Sequence, residues 1–144
     1  MVDVSSKAAT GRFARARAFV RMTEAAAAAL REATLAKGDA FVAAQLAGIM
    51  AAKQTANLIP LAHPLPLAQV EIAFAWAETT LLQIDATART SAQTGVEMEA
   101  MVGVSIAALT LYDMLKAADK GIRIESVALV EKRGGKSGSW TAPA

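Results

Sequence analysis

The chain has 144 residues, no cysteine, one histidine and a formal charge of +2. That length fits a single domain with a core of its own. The composition excludes disulfides, thiolate chemistry and any histidine- or cysteine-rich metal site within the chain, and so small a charge does not argue for nucleic acid. No run reaches the roughly 20 uninterrupted apolar residues of a membrane span, and no basic stretch followed by an apolar one opens the chain. A cytoplasmic domain without a membrane span or signal peptide is expected.

Residues 1–11 read as an irregular arm. Over 13–22 the pattern has period two, with Arg15, Arg17 and Arg21 on one side and Ala16, Ala18 and Val20 on the other, which predicts a strand. Thr23 is placed to cap an alanine-rich helix reaching about residue 35. Lys37-Gly38 turns the chain, and Asp39 caps a second helix to about residue 57. Pro60, Pro64 and Pro66 then impose a loop. A strand over 67–77 puts Val70, Ile72, Phe74 and Trp76 on one face, and 81–90 is its hairpin partner. A third long helix is expected from Thr94 to about residue 118, and a last strand over 122–130. The tail beyond residue 132 is cationic and read as flexible.

The order β-α-α-β-β-α-β is a split βαβ, ferredoxin-like arrangement with an additional helix. It predicts an α+β domain over 1–144, with an antiparallel four-stranded sheet and helices packed on one face. The other sheet face and the alanine-rich helix surfaces suggest self-association.

Several residues are of types that carry chemistry. Thr94-x-x-Glu97 has the spacing of a capping box, so Glu97 has a purely structural reading beside a functional one. Glu99 lacks that explanation, although an acid in a first turn also suits the helix dipole. Asp113 lies among Ala107, Ala108, Leu109, Leu111 and Met114, and Lys116 follows one turn later. The pair reads either as a surface ion pair or as an acid–base couple. Glu99 and Asp113 are 14 residues apart, about 21 Å along a helix and close to one face. One small ligand cannot touch both in a single chain, so the two belong to a long ligand or to a site shared by neighbouring subunits. His63 is held between Pro60 and Pro64, where a histidine serves either as a structural hydrogen bonder or as a donor to an oxyanion. Gly134-Gly-Lys-Ser-Gly138 is not a Walker loop, because Val130 stands where a glycine is required and no helix is expected after it. Its glycines beside Lys132 and Lys136 can still fold around a polyphosphate. Arg12, Lys37 and Lys53 are further cations, Lys53 on a helix otherwise nearly free of charge.

Nine segments together resemble one family. They are Met1-Val-Asp-Val-Ser5, Lys37-Gly-Asp39, Ala47-Gly-Ile49, Ala51-Ala-Lys53, Leu58-Ile-Pro-Leu61, His63-Pro-Leu65, Thr94-Gly-Val-Glu-Met-Glu-Ala100, Leu111-Tyr-Asp-Met114 and Gly134-Gly-Lys-Ser-Gly138. In order and nearly end to end, they are similar to the cyclic pyranopterin monophosphate synthase family, the molybdenum cofactor biosynthesis protein C family. The resemblance implies a ferredoxin-like fold and a homohexamer, a trimer of dimers with sites between subunits. It implies action on 3′,8-cyclised GTP with release of pyrophosphate. By motif it makes Asp113 the catalytic aspartate and Lys116 its acid–base partner. It makes Leu61, Ala62 and His63 one substrate-binding segment, and Met98 and Glu99, beside Glu97, another. Arg12, Lys37, Lys53, Lys132 and Lys136 become the cations that neutralise the triphosphate. Ala62 and Leu115 stand where members of the family often carry cysteine, which argues against a thiol mechanism. No metal ligand set shows, although Mg2+ could accompany a triphosphate. Two other readings are a ferredoxin-like RNA-binding module, for which only Phe74 and Trp76 offer stacking surfaces, and a non-catalytic nucleotide- or polyphosphate-binding oligomer.

Overall fold

The alternation in the first strand is the pattern that organises the molecule. A computed structural model describes all residues, Met1–Ala144. Strand β1 (Thr10–Arg21) buries Ala14, Ala16, Ala18 and Val20 completely and turns Arg15, Arg17 and Arg21 to the opposite face. It is followed by α1 (Glu24–Arg31), α2 (Ala40–Lys53), the short α3 (Thr55–Leu58), β2 (Gln69–Glu78), β3 (Leu81–Ala92), α4 (Glu97–Leu115), β4 (Arg123–Arg133) and β5 (Trp140–Thr141). The sheet order is β2-β3-β1-β4-β5 with every neighbouring pair antiparallel. This is the expected split βαβ topology with helices on one face. The two-residue β5, which pairs with Glu131 and Lys132, adds a fifth strand to the expected four.

The caps at Thr23 and Asp39 form as their chemistry predicts. Thr23 Oγ1 accepts from the Ala26 amide at 3.3 Å, and Asp39 Oδ1 accepts from the Val42 amide at 3.1 Å. Helix α1 ends at Arg31, earlier than its alanine content suggests, because Ala33 takes a left-handed conformation (φ 52°) that turns the chain away. The second helix breaks at Gln54, and its last residues form α3. Helix α4 begins at Glu97 rather than Thr94. Its N-cap is Val96, and no side chain caps it. The capping-box reading of Glu97 is therefore corrected: Thr94 lies outside the helix, in the connection from β3.

Helix α4 is long and apolar enough to pass a length-and-composition test for a membrane span. Here it is a core helix, laid across β1, β3 and β4 and packed against α2. Val104, Ala107, Ala108, Leu111 and Leu115 are fully buried against the sheet alanines. Helix α2 runs antiparallel to it, and the two meet at glycine on both sides. A Cβ added to Gly48 would lie 2.9 Å from the Gly103 carbonyl oxygen and 2.9 Å from Ile72 Cδ1. The outer surface of this helix layer carries the exposed apolar residues Val42, Leu46, Met50, Leu58, Met98 and Leu109.

The far sheet face is a lattice of cross-strand ion pairs. Arg17 grips Asp85 with two bonds, Nε to Oδ1 at 2.7 Å and Nη2 to Oδ2 at 2.9 Å. Arg21 bridges Glu78 and Glu125 at the other end of the strand, and Arg15 pairs with Glu131. Phe74 and Trp76 face the helix layer instead. Phe74 packs on Phe41 with ring centroids 4.8 Å apart, and the Arg31 guanidinium lies 3.7 Å from the Trp76 ring centre. On the open face, Phe13 is covered by Arg89 and Arg133. The two aromatics expected to offer stacking surfaces, Phe74 and Trp76, are thus not on the open face.

Gly48→Ala is expected to lower stability by about 1–2 kcal/mol, because overpacking at the crossing outweighs the gain in helix propensity. Urea unfolding checks this; an unchanged or raised midpoint would mean that the two helices slide apart freely.

Candidate active site

Helix α4 carries acidic groups at both ends, in opposite environments. At its C-terminal end Asp113 lies between two ammonium groups. Lys116 Nζ reaches Oδ1 at 2.7 Å, and Lys37 Nζ reaches Oδ2 at 2.8 Å and the Asp113 carbonyl oxygen at 3.0 Å. Lys37 arrives from the turn before α2, which the antiparallel crossing brings to this end of α4. An acid at a helix C-terminus faces the negative end of the dipole, and the two lysines offset that. Hydrogen bonds from Lys116 and then Lys37 pull the Asp113 carboxyl down to about 2, and Asp113 in turn raises the Lys116 ammonium above its usual range. At neutral pH the cluster is therefore a carboxylate flanked by charged lysines. Its side chains are about half exposed, at 47% for Lys37, 54% for Asp113 and 51% for Lys116.

The N-terminal end borders a half-open cavity. Leu61, Ala62, His63, Thr94, Glu97, Met98 and Glu99 line one cavity of about 360 Å³. Both expected binding segments thus fall on the same wall. Glu99 is 4% exposed, and burial pushes its carboxyl up, with the Glu97 charge adding to the effect. His63 Nε2 donates to the Val2 carbonyl at 2.8 Å, since a carbonyl can only accept. In the neutral ring this leaves Nδ1 as an acceptor. The imidazole also borders a second cavity of about 390 Å³, lined by Val4, Ala9 and residues 91–94.

Of the other expected cations, only Lys37 joins one of these two groups. Lys37 belongs with Asp113. Lys53, in the last turn of α2, is exposed beside a shallow depression with Leu65, Leu67 and Val70. Arg12 is engaged by the Ala92 and Gln93 carbonyls. Lys132 bonds to Ser137, while Lys136 is exposed in the glycine turn. The pairing of Lys37 with Asp113 was not expected from the sequence; its only signal there is Lys37-Gly38-Asp39 placed directly before a helix that must run back along α4. The N-terminal arm was expected, but its contacts to His63 and Gln93 were not. Val2 fixes His63, and the Ser5 carbonyl accepts from Gln93 Nε2 at 3.5 Å.

Fold and clusters together define a small α+β protein of the ferredoxin-like kind, with acid–base groups at both ends of one core helix. The chain belongs to the MoaC family, whose family model matches residues 1–135. It is 57% identical to the cyclic pyranopterin monophosphate synthase of Nostoc sp., over 100% of this chain and 86% of that protein. It is 53% identical to the synthase of Novosphingobium aromaticivorans, over 99% and 90% of the two chains. It is 52% identical to that of Thermomicrobium roseum, over 97% and 85%. Catalysis of the MoaC type follows in general terms from this membership.

The sign of the pH dependence at the Asp113 cluster follows from its shifts. The depressed carboxyl keeps the cluster ionised from above its ordinary 3.8 down to about 2, and the raised Lys116 loses its contribution only above its ordinary 10.5. Carboxyl carbon NMR should give Asp113 a midpoint near 2. In a Lys37→Ala, Lys116→Ala double variant that midpoint should return toward 3.8; no movement would mean that the lysines do not set it.

Proposed function

We propose that this protein is a cyclic pyranopterin monophosphate synthase of molybdenum cofactor biosynthesis, working in the cytoplasm. It converts (8S)-3′,8-cyclo-7,8-dihydroguanosine 5′-triphosphate into cyclic pyranopterin monophosphate and releases pyrophosphate. The observation that carries this reading is the Lys37–Asp113–Lys116 cluster in a chain so similar, along its whole length, to proteins of that name.

Rearranging a purine into a pyranopterin needs protons delivered and removed at ring atoms. Lys116 starts as an ammonium and acts first as the donor; once neutral, it takes a proton back at a later step. Asp113 holds that ammonium in place and keeps a negative charge beside the cation formed during transfer. In closing the cyclic phosphate, one P–O bond forms at the α-phosphorus and the bond to the β-phosphate oxygen breaks. Pyrophosphate leaves with its charge stabilised by cations. Lys37, Lys53, Arg12, Lys132 and Lys136 supply the positive field for the triphosphate. His63, Leu61, Ala62, Met98, Glu97 and Glu99 bind the ring system in the cavity at the other end of α4.

The two ends of α4 lie about 21 Å apart, so one substrate reaches both only if two chains cooperate. Antiparallel pairing of α4 with its copy about a two-fold axis sets the carboxylate end of one chain beside the lysine end of the other. The apolar row of Val42, Leu46, Met50, Leu58, Met98 and Leu109 gives such a contact its buried area. The full assembly is a homohexamer, a trimer of dimers.

Purified 3′,8-cyclised GTP tests the reaction. Wild type should release pyrophosphate, and Asp113→Ala and Lys116→Ala should bind the substrate yet lose release by at least about 100-fold. Binding without release by the wild type would leave a non-catalytic polyphosphate-binding oligomer. Subunit mixing tests the shared site. Lys116→Ala and Glu99→Ala proteins, each inactive alone, should regain activity when unfolded, mixed and refolded together. Persistent inactivity of a verified hybrid would place each site within one chain.

A further inference from the structure

Arg12 opens β1 beside both the β3–α4 connection and the glycine turn of the tail. Its Nε donates to the Ala92 carbonyl at 3.2 Å, and its Nη2 to the Gln93 carbonyl at 3.3 Å. That Nε/Nη2 edge is the fork with which arginine takes a phosphate bidentately; here two main-chain carbonyls fill it. The third nitrogen, Nη1, lies against the main chain of Gly135, where any Cβ would run into the guanidinium. A Cβ on Gly134 would likewise meet the Gly11 carbonyl. Both glycines hold left-handed backbone, φ +97° and +78°, so the turn requires glycine for conformation as well as for space.

The segment after β4 is thus a closed hairpin seated on Gly11-Arg12, and not a free tail. The Gly138 amide bonds the Gly135 carbonyl at 3.1 Å, and the Ala142 amide bonds the Val130 carbonyl at 2.8 Å. Lys132 Nζ bonds Ser137 Oγ, and Arg133 pairs with Glu131. Lys136 is left at the tip, exposed and without a bonded partner.

We propose that Arg12 is a positioning residue, whose guanidinium pins the Gly134-Gly135 turn to the β3–α4 connection so that Lys136 meets the anionic part of the substrate. This rests on the synthase reading above. It makes Lys136 the direct phosphate contact at this corner; Arg12 adds its charge to the field at longer range and makes no phosphate bond. A lysine at position 12 would keep the charge but could not bridge two carbonyls and a glycine main chain with one planar group.

The test compares Arg12→Ala, Arg12→Lys, Gly135→Ala and Lys136→Gln with wild type. Amide exchange at Gly138 and Ala142 is followed, together with kcat and KM for 3′,8-cyclised GTP. Arg12→Ala, Arg12→Lys and Gly135→Ala should each speed exchange at both amides by about tenfold. They should raise KM by about tenfold with a smaller change in kcat. Lys136→Gln should raise KM equally while the hairpin stays protected. Wild-type KM in Arg12→Lys would overturn the proposal, because it marks a simple charge contact with phosphate. Unchanged exchange in Arg12→Ala would overturn it as well. Exchange is read without turnover, so a wild type that releases no pyrophosphate would sink the synthase reading and leave the pinning of the turn decided by its own data.

Discussion

The crossing of α2 over α4 is the constraint on which the rest of the structure depends. At Gly48 and Gly103 the helix backbones approach so closely that a side chain on Gly48 has nowhere to go. That approach is possible because α4 lies on a sheet whose central residues are alanines, which leave a shallow bed for a long helix. It fixes the direction of α2. The start of α2 falls beside the end of α4, and this alone brings Lys37 to Asp113 across 76 residues of chain. A looser crossing would leave the aspartate with one lysine, its neighbour on the same helix.

The second consequence is electrostatic. One helix presents two carboxyl groups whose proton affinities move in opposite directions. Asp113, between two ammonium groups, is held down to about 2. Glu99, buried beside the cavity, is pushed up by burial and by Glu97. Environments that separate the acidity of like groups mark sites that divide acid and base roles. In the function proposed, the two ends of the helix separate proton transfer, at Asp113 and Lys116, from ring binding, at Glu99, so that a complete site draws on two copies of the chain.

The two sheet faces divide the work differently. Small residues turned inward carry packing, while the arginines of β1 lock the strands together through Asp85, Glu78, Glu125 and Glu131 on the far side. Half-buried pairs of this kind, still partly in water, add modestly to stability. Their geometric effect is larger, because they fill the sheet face with paired charges, Arg15 Nε alone among buried side-chain polar atoms lacking a hydrogen-bond partner, and leave the outer helix surface as the main apolar ground for association.

The period-two pattern of β1, the caps at Thr23 and Asp39 and the proline loop were legible in the sequence, because each is a local matter of side-chain spacing and nearby hydrogen bonds. So was the family, carried by short motifs in a fixed order, and with it Asp113, Lys116 and His63 as residues to watch. Tertiary structure decided what locality cannot. Thr94 has the spacing of a cap, yet α4 begins after it, because the chain is still leaving β3, whose pairing with β1 runs on to Ala92. The tail looks like a solvated run of glycine and lysine, yet it folds back because Gly11 and Arg12 offer it a surface that only close packing creates. Lys37 finds Asp113 through a helix crossing, and Glu99 shares its cavity with a loop more than 30 residues upstream. Sequence supplied the chemical groups and the local turns; the partners of those groups, and hence their charge states, were set by contacts between segments far apart in the chain.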